Sequence, residues 1–189
     1  QILVDLGLKN KRVLVTGAGR GIGAGIAFEF AKEGAKVASV ARTESDLKEN
    51  LKKMGGRAKG HYYIGSDLTR RDSPALVIEK IGKHFGEIDI LVNNVGDALE
   101  ITDPHCPLSD WRRVLRINLE IAIELNNFVI PKMLEKKWGR IVHIASTASL
   151  ENNGPVTYCA AKAALLAYSR GLGRIYAQSG VVISTVIPG

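Results

Sequence analysis

Cysteine is nearly absent from this chain. Cys106 and Cys159 are the only two, too few and too isolated for a disulfide framework or a zinc cluster. Reduced thiols are the expectation, and with them a cytoplasmic setting. Histidine is equally sparse: His61, His84, His105 and His143 show no metal-ligand spacing, so no metal is expected. His143 lies in an apolar run and reads as a core residue. Long apolar runs are missing too, none approaching the roughly 18 residues of a membrane span. The segment Gln1–Asn10 starts apolar but has neither a basic region before it nor a small-residue cleavage site, so no signal peptide is expected. Aromatic residues make up only 6% and are not interleaved with basic ones, which bears on the net charge of +7. That charge is scattered over stretches such as Lys48–Lys53 and Glu135–Lys137. No nucleic acid is expected as a partner, whereas a mildly basic surface would attract anionic cofactors or substrates.

What the chain does have is a repeating rhythm. Its 189 residues, 46% apolar and 24% charged, suit one globular domain over 1–189 with no internal boundary. Lys11–Thr16 is a Val-rich run without alternation, as expected of a strand buried on both faces. It breaks into Thr16-Gly17-Ala18-Gly19-Arg20-Gly21-Ile22-Gly23, after which Ala24–Glu33 reads as helix, ended by Gly34. Glycines at such a turn let the backbone approach a pyrophosphate, and the helix N-terminus offers free N–H groups. Further strands are expected at Lys36–Val40, His61–Ile64, Ile88–Val92, Arg140–Ala145 and Val181–Ile187. Helices at Ser45–Met54, Ser73–Phe85, Ser109 to about Lys137, and Pro155–Gln178 separate them. Ser109 is expected to cap the long helix and Pro131 to kink it. The alternation predicts a three-layer, doubly wound parallel α/β sheet with a binding crevice outside the carboxyl ends of its strands. Gly17–Gly23, Arg42, Asp67, Asn93–Gly96 and Ser146 would gather there.

Two features point to chemistry. Tyr158 and Lys162 are four residues apart in a helical run and so share a face. A fixed ammonium favours the phenolate and moves a tyrosine pKa of about 10 toward a useful range. By itself the pair is weak, since this spacing arises by chance in many helices. The second feature is Val40-Ala41-Arg42-Thr43, where a dinucleotide-binding chain presents a group to the adenosine ribose. No acid stands there. Arg42, with Arg20 in the glycine turn, suits a 2′-phosphate, which predicts NADP(H) in preference to NAD(H).

Taken in order, Thr16-Gly17-x-x-x-Gly21-x-Gly23, Asp67-Leu68, Asn93-Asn94-Val95-Gly96, Asn118, Ser146, Tyr158-x-x-x-Lys162 and Pro188-Gly189 resemble the short-chain dehydrogenase/reductase family in its classical branch. The resemblance covers Lys9–Gly189, and the overall pattern is similar to 3-oxoacyl-carrier-protein reductases and other carbonyl reductases. It implies a Rossmann-type fold and hydride transfer between NADP(H) and a ketone, 3-oxoacyl group or secondary alcohol. It implies a catalytic set of Asn118, Ser146, Tyr158 and Lys162. Tyr158 would be the acid or base, Lys162 would lower its pKa and bond the nicotinamide ribose, and Ser146 would polarise the substrate oxygen. Asn118 would hold a water linking Lys162 to solvent. The implied cofactor contacts are Thr16, Gly17, Gly19, Arg20, Gly21, Ile22, Gly23, Arg42, Asp67, Leu68, Asn94, Val95, Gly96, Tyr158, Lys162, Pro188 and Gly189.

Departures from the family pattern bear on the substrate. Ser184 stands where the family usually has asparagine, and Ser179 where acyl-carrier reductases often have a basic residue. Family members usually continue past such a Pro-Gly turn with a substrate-covering helix and a last strand. The remaining substrate-facing segments, Asp97–Pro107 and Thr147–Thr157, carry no charged clamp. The rival readings are an NAD-dependent alcohol dehydrogenase, a non-catalytic NADP(H) sensor and a structural subunit with a vestigial site. Tyr158, Lys162 and Ser146 are all present and favour the enzyme. The helices Ser109–Lys137 and Pro155–Gln178 resemble those that pair between subunits in the family, so a homodimer or homotetramer is expected. Ile121, Leu125 and Phe128 would supply an apolar stripe, which core packing explains equally well.

Overall fold

A computed structural model describes residues 5–189. Strands β1 (Arg12–Thr16), β2 (Lys36–Ala41), β3 (Tyr62–Gly65), β4 (Ile90–Asn93), β5 (Gly139–Ile144) and β6 (Val181–Val186) form one sheet in the order β3-β2-β1-β4-β5-β6. Every pairing is parallel. The chain steps outward from β1 to β3, then crosses back to place β4 on the other side of β1. The crevice predicted for a doubly wound sheet therefore opens between the tips of β1 and β4.

Alternate residues of the central strands feed two separate cores. Leu14, Leu91 and Ile141 meet Val77 and Ile81 of α3 (Ser73–His84) and Leu125 and Val129 of α5 (Ile121–Glu135). Val13, Val15, Val37 and Val92 meet Ala27 of α1 (Gly21–Lys32) on the opposite face. This two-sided burial is why the strands read as continuous apolar runs. Leu172 and Tyr176 of α7 (Val156–Tyr176) pack against the first core beside α3 and α5, so the sheet lies between that helix layer and α1. Of the expected apolar stripe, Ile121 and Leu125 are buried in that core and only Phe128 remains exposed. No helix among the described residues is long and apolar enough to cross a membrane.

Element bounds differ from expectation in instructive places. Helix α1 starts at Gly21, because Gly21 and Gly23 hide its first turn from any reading of apolar periodicity. A short helix, α6 (Ala148–Glu151), follows β5 and lies inside the substrate-facing segment Thr147–Thr157, for which no element was expected. The long helix is two helices. Between α4 (Leu108–Leu115) and α5 runs a π turn, Arg116–Glu120, in which the Ile121 N–H reaches back to the Arg116 carbonyl. Ser109 does not cap α4, whose preceding residue is Pro107. Winding is irregular at the π turn, while α5 stays helical through Pro131. A proline in a helix interior costs about 3 kcal/mol or more. Burial of the neighbouring Val129, Ile130 and Met133, each worth about 1.5–3 kcal/mol, outweighs it.

One polar chain crosses the first core. Asn93 Nδ2 donates to Asn126 Oδ1 (2.9 Å), and Asn126 Nδ2 meets His143 Nε2 (2.9 Å) and the Tyr168 hydroxyl (3.2 Å). His143 Nδ1 meets Ser169 Oγ (3.0 Å), which also accepts from Thr185 Oγ1 (2.7 Å). His143 is thus a satisfied core residue that ties β5 to α5 and α7. Burial pushes its pKa from the ordinary 6.5 to about 4, with the charge of Lys162 adding to the effect. Below pH 6.5 the unfolded chain binds a proton that the folded chain refuses, so this group's share of stability is lost as pH falls toward 4. Between about pH 7 and about pH 4.5 urea unfolding should show the wild type losing about 2 kcal/mol more than His143→Asn. Equal losses would mean that His143 is protonated inside the fold.

Candidate active site

The tips of β1 and β4 are stitched together before any ligand is considered. Thr16 Oγ1 donates to the Val92 carbonyl (3.3 Å) and accepts from the N–H groups of Asn94 (3.0 Å) and Val95 (3.3 Å). Asn94 Nδ2 returns two bonds, to the carbonyls of Thr16 (3.0 Å) and Gly17 (3.3 Å). Thr16 is fully buried by this work and does not line the cleft. Gly21 does not line it either, standing exposed as the first residue of α1.

The cleft beyond these tips has a volume of about 530 Å³. The glycine turn supplies one wall through Gly17, Gly19, Arg20, Ile22 and Gly23. A Cβ at Gly23 would collide with the Gly17 carbonyl, so only glycine lets α1 begin so close beneath the turn. Arg20, the residue before α1, offers no side-chain cap, and the first turn of α1 carries no acid. Its N–H groups therefore remain available to an anion. Asn50, a buried side chain on α2 (Glu44–Lys53), pins the turn from behind by donating to the carbonyls of Ala18 (3.2 Å) and Gly19 (2.8 Å).

Arg42 and Asp67 mark the far end. Arg42 is exposed and makes no ion pair or hydrogen bond among the described residues. Asp67 Oδ1 accepts from the Thr69 hydroxyl (2.7 Å) and N–H (3.0 Å). The Thr69 hydroxyl chiefly holds this carboxyl below its ordinary range, with smaller help from Arg42 and Arg70. Leu68 lies beside it on the cleft wall. Asp46 and Thr43 share this end, and neither was anticipated.

Lys162 dominates the near end. It is 2% exposed, and its ammonium donates to the Ile144 carbonyl at 2.9 Å. Burial lowers its pKa from 10.5 to about 8. Its Nζ is 5.7 Å from the centroid of the Tyr158 ring, one turn earlier on α7. Gly96 makes room for the group: a Cβ there would stand 2.6 Å from Lys162 Nζ and 2.8 Å from Asn118 Oδ1. Asn94, Val95, Ser146, Tyr158, Pro188 and Gly189 also line this end. Ser146 Oγ accepts from the Ala148 N–H (3.2 Å), which leaves its hydroxyl hydrogen free to donate into the cleft.

Asn118 is brought close to Lys162 but does not line the cleft. Its Nδ2 donates to the carbonyls of Asp97 (2.7 Å) and Val114 (2.9 Å), and its Oδ1 accepts from the Asp97 N–H (3.1 Å). These bonds hold the loop after β4 against the π turn. Both Nδ2 hydrogens are thereby used, while Oδ1 keeps one lone pair beyond the Asp97 N–H. Asn93, next to the strand tip, points into the core network. Asn50 carried no local signal, since it acts on Ala18 and Gly19, about thirty residues away in sequence.

A parallel doubly wound sheet with an uncapped glycine turn at its switch point defines a Rossmann-type nucleotide-binding protein. Residues 11–189 match the family described as short chain dehydrogenase, and the chain belongs to that family. It is 36% identical over 185 residues to the Escherichia coli 3-oxoacyl-[acyl-carrier-protein] reductase FabG, spanning 97% of this chain and 75% of that protein. A short-chain dehydrogenase/reductase of unknown function from Caenorhabditis elegans, solved with cofactor, superposes with a TM-score of 0.88 at 31% identity, covering 96% of this chain and 70% of that one. L-Sorbose reductase from Gluconobacter frateurii, solved with NADPH and L-sorbose, superposes with a TM-score of 0.90 at 28% identity, covering 98% and 72%. The chain is an oxidoreductase acting on CH–OH or C=O groups.

A buried ammonium without a carboxylate partner costs stability wherever it is charged, so the fold gains as pH rises from about 8 toward 10.5. Lys162→Met should therefore be more stable than wild type near neutral pH by roughly 2 kcal/mol, after allowing for the lost bond to Ile144. The gain should shrink above about pH 9. Urea titrations at both values check this, and a destabilised variant near neutral pH would show that the fold itself needs the charge.

Proposed function

We propose that the chain is an NADP(H)-dependent reductase of a ketone or 3-oxoacyl group, whose reverse reaction oxidises a secondary alcohol. The observation that carries this reading is Lys162, a buried ammonium one helical turn from Tyr158 and facing the cleft that Ser146 also lines. The cleft fits a dinucleotide. The close packing at Gly23, the open N-terminus of α1 and the cation at Arg42 are spaced along it from turn to strand end. Gly17, Gly19, Ile22 and Gly23 would hold the pyrophosphate, with Asp67 and Leu68 at the adenosine and Val95, Gly96, Pro188 and Gly189 at the nicotinamide. When bound, the nicotinamide donates or accepts the hydride.

The chain's own residues do the rest. Ser146 donates its free hydroxyl hydrogen to the substrate oxygen and fixes its direction. Tyr158 delivers a proton to the same oxygen as negative charge develops there. The ammonium of Lys162 favours the tyrosinate left behind and would bond the nicotinamide ribose. Asn118 keeps Asp97 and the loop after β4 in place, and so keeps Gly96 open beside Lys162. NADP(H) is favoured over NAD(H) because Arg42 at the far end and Arg20 on the glycine-turn wall line the cleft without an acid at the β2 tip. Asp46 opposes that preference from the first turn of α2. Pairing of α4–α5 and α7 between subunits, with Phe128 in the contact, would give a homodimer or homotetramer.

With a panel of ketones and 3-oxoacyl thioesters, NADPH absorbance should fall, and Tyr158→Phe should slow turnover by roughly 10²–10⁴. A protein that binds NADPH yet turns over no carbonyl or alcohol would favour the sensor reading instead. Arg42→Ala should raise the KM for NADPH by about tenfold while changing that for NADH by less than about threefold. An unchanged NADPH/NADH ratio would remove the argument for cofactor preference.

A further inference from the structure

Arg116 belongs to none of the motifs discussed so far, yet every arm of its guanidinium is engaged. It lies in the π turn, two residues before Asn118, with its side chain 15% exposed. Nε donates to the Thr69 carbonyl at 3.2 Å, and Nη2 reaches the carbonyls of Leu68 (3.4 Å) and Arg70 (3.5 Å). Nη1 and Nη2 also grip both oxygens of Glu124 on α5, at 2.5 and 3.0 Å, and a Glu120 oxygen stands 3.6 Å from Nη1. These carboxylates raise the pKa of a group already charged at any working pH, so the grip does not titrate.

The three carbonyls belong to the turn after β3 that presents Asp67, Leu68 and Thr69 to the cleft. Ile117, the next residue after Arg116, lines the same cleft. Leu68 and Ile117 are both nearly buried, so they are wall and not loose surface. Arg116 itself does not line the cleft. One side chain thus fastens a surface turn to the helix that supplies the neighbouring part of the wall, and Glu124 anchors that side chain from beyond the π turn.

We infer that Arg116 is a positioning residue for the adenosine half of the dinucleotide, presetting the turn Asp67–Thr69 against Ile117. A turn held before binding need not be ordered during it, and that saving appears as affinity. The inference rests on the dinucleotide reading above. Its test separates the two halves of the cofactor. Calorimetry with 2′,5′-ADP and fluorescence titration with reduced nicotinamide mononucleotide are made on wild type, Arg116→Met and Arg116→Lys. Arg116→Met should weaken 2′,5′-ADP by about tenfold and reduced nicotinamide mononucleotide by less than about twofold. Arg116→Lys, a point charge without the fork, should fall between wild type and Met for 2′,5′-ADP. With the complete cofactor, KM for NADPH should rise about tenfold and kcat change by less than about threefold.

Should Arg116→Met not fold, Glu124→Gln keeps the carbonyl bonds and loosens only their anchor. It should weaken 2′,5′-ADP by about threefold and speed amide exchange at residues 68–71. Equal weakening of both halves, or of neither, overturns the inference. Failure of the wild type to bind either 2′,5′-ADP or 5′-ADP overturns the dinucleotide reading instead.

Discussion

The hydrogen bonds between Thr16 and the Asn94 segment are the constraint on which the cleft depends. Where a doubly wound sheet reverses direction, two neighbouring strands send their chains to opposite faces, and nothing in the ladder holds their tips at a fixed spacing. Here one hydroxyl and one carboxamide do so, using the Thr16 and Gly17 carbonyls and the Asn94 and Val95 N–H groups. The glycine turn and the strip Val95–Gly96 therefore face each other across a set gap. The distance from Lys162 to the rest of the site follows from it, because Gly96 is the surface against which Nζ packs.

The polar interior shows two different uses of burial. The chain Asn93–Asn126–His143–Ser169–Thr185 is bonded along its length and serves cohesion, leaving Asn93 Oδ1 as its one unpaired atom. Lys162 is different. It has a single carbonyl partner and no counter-ion among the described residues, so its charge works against folding. A fold that keeps such a group at a cleft wall keeps it for something other than stability.

Much of this was legible in the sequence, and the reasons are local. Six strands fell within a residue or two of expectation, the central ones because two-sided burial writes itself as continuous apolar runs. The glycine turn, Arg42, Ser146, Tyr158 and Lys162 line the cleft as expected because turns and helix periodicity carry side chains to predictable places. What stayed hidden depends on partners far along the chain. Thr16 looked like a ligand contact and is spent on Asn94, 78 residues away. The bonds of Asn118 to Asp97, 21 residues away, carry no local mark either. Asn50 resembled any polar residue on a helix. The π turn left no mark on periodicity, so Ser109 and Pro131 drew the attention that belonged to Arg116–Glu120.

That turn has a further consequence. A π turn amounts to one extra residue in an α-helix, which rotates everything after it by about 100° of helical phase. Without the offset, the buried side of α4 at Val114 and the face of α5 that carries Asn126 toward His143 could not both point inward. The extra residue lets a single rod serve two masters, the loop beside the cleft at one end and the core network at the other. Loss of any one residue from 116–120 would leave the rod straight and its two halves out of step.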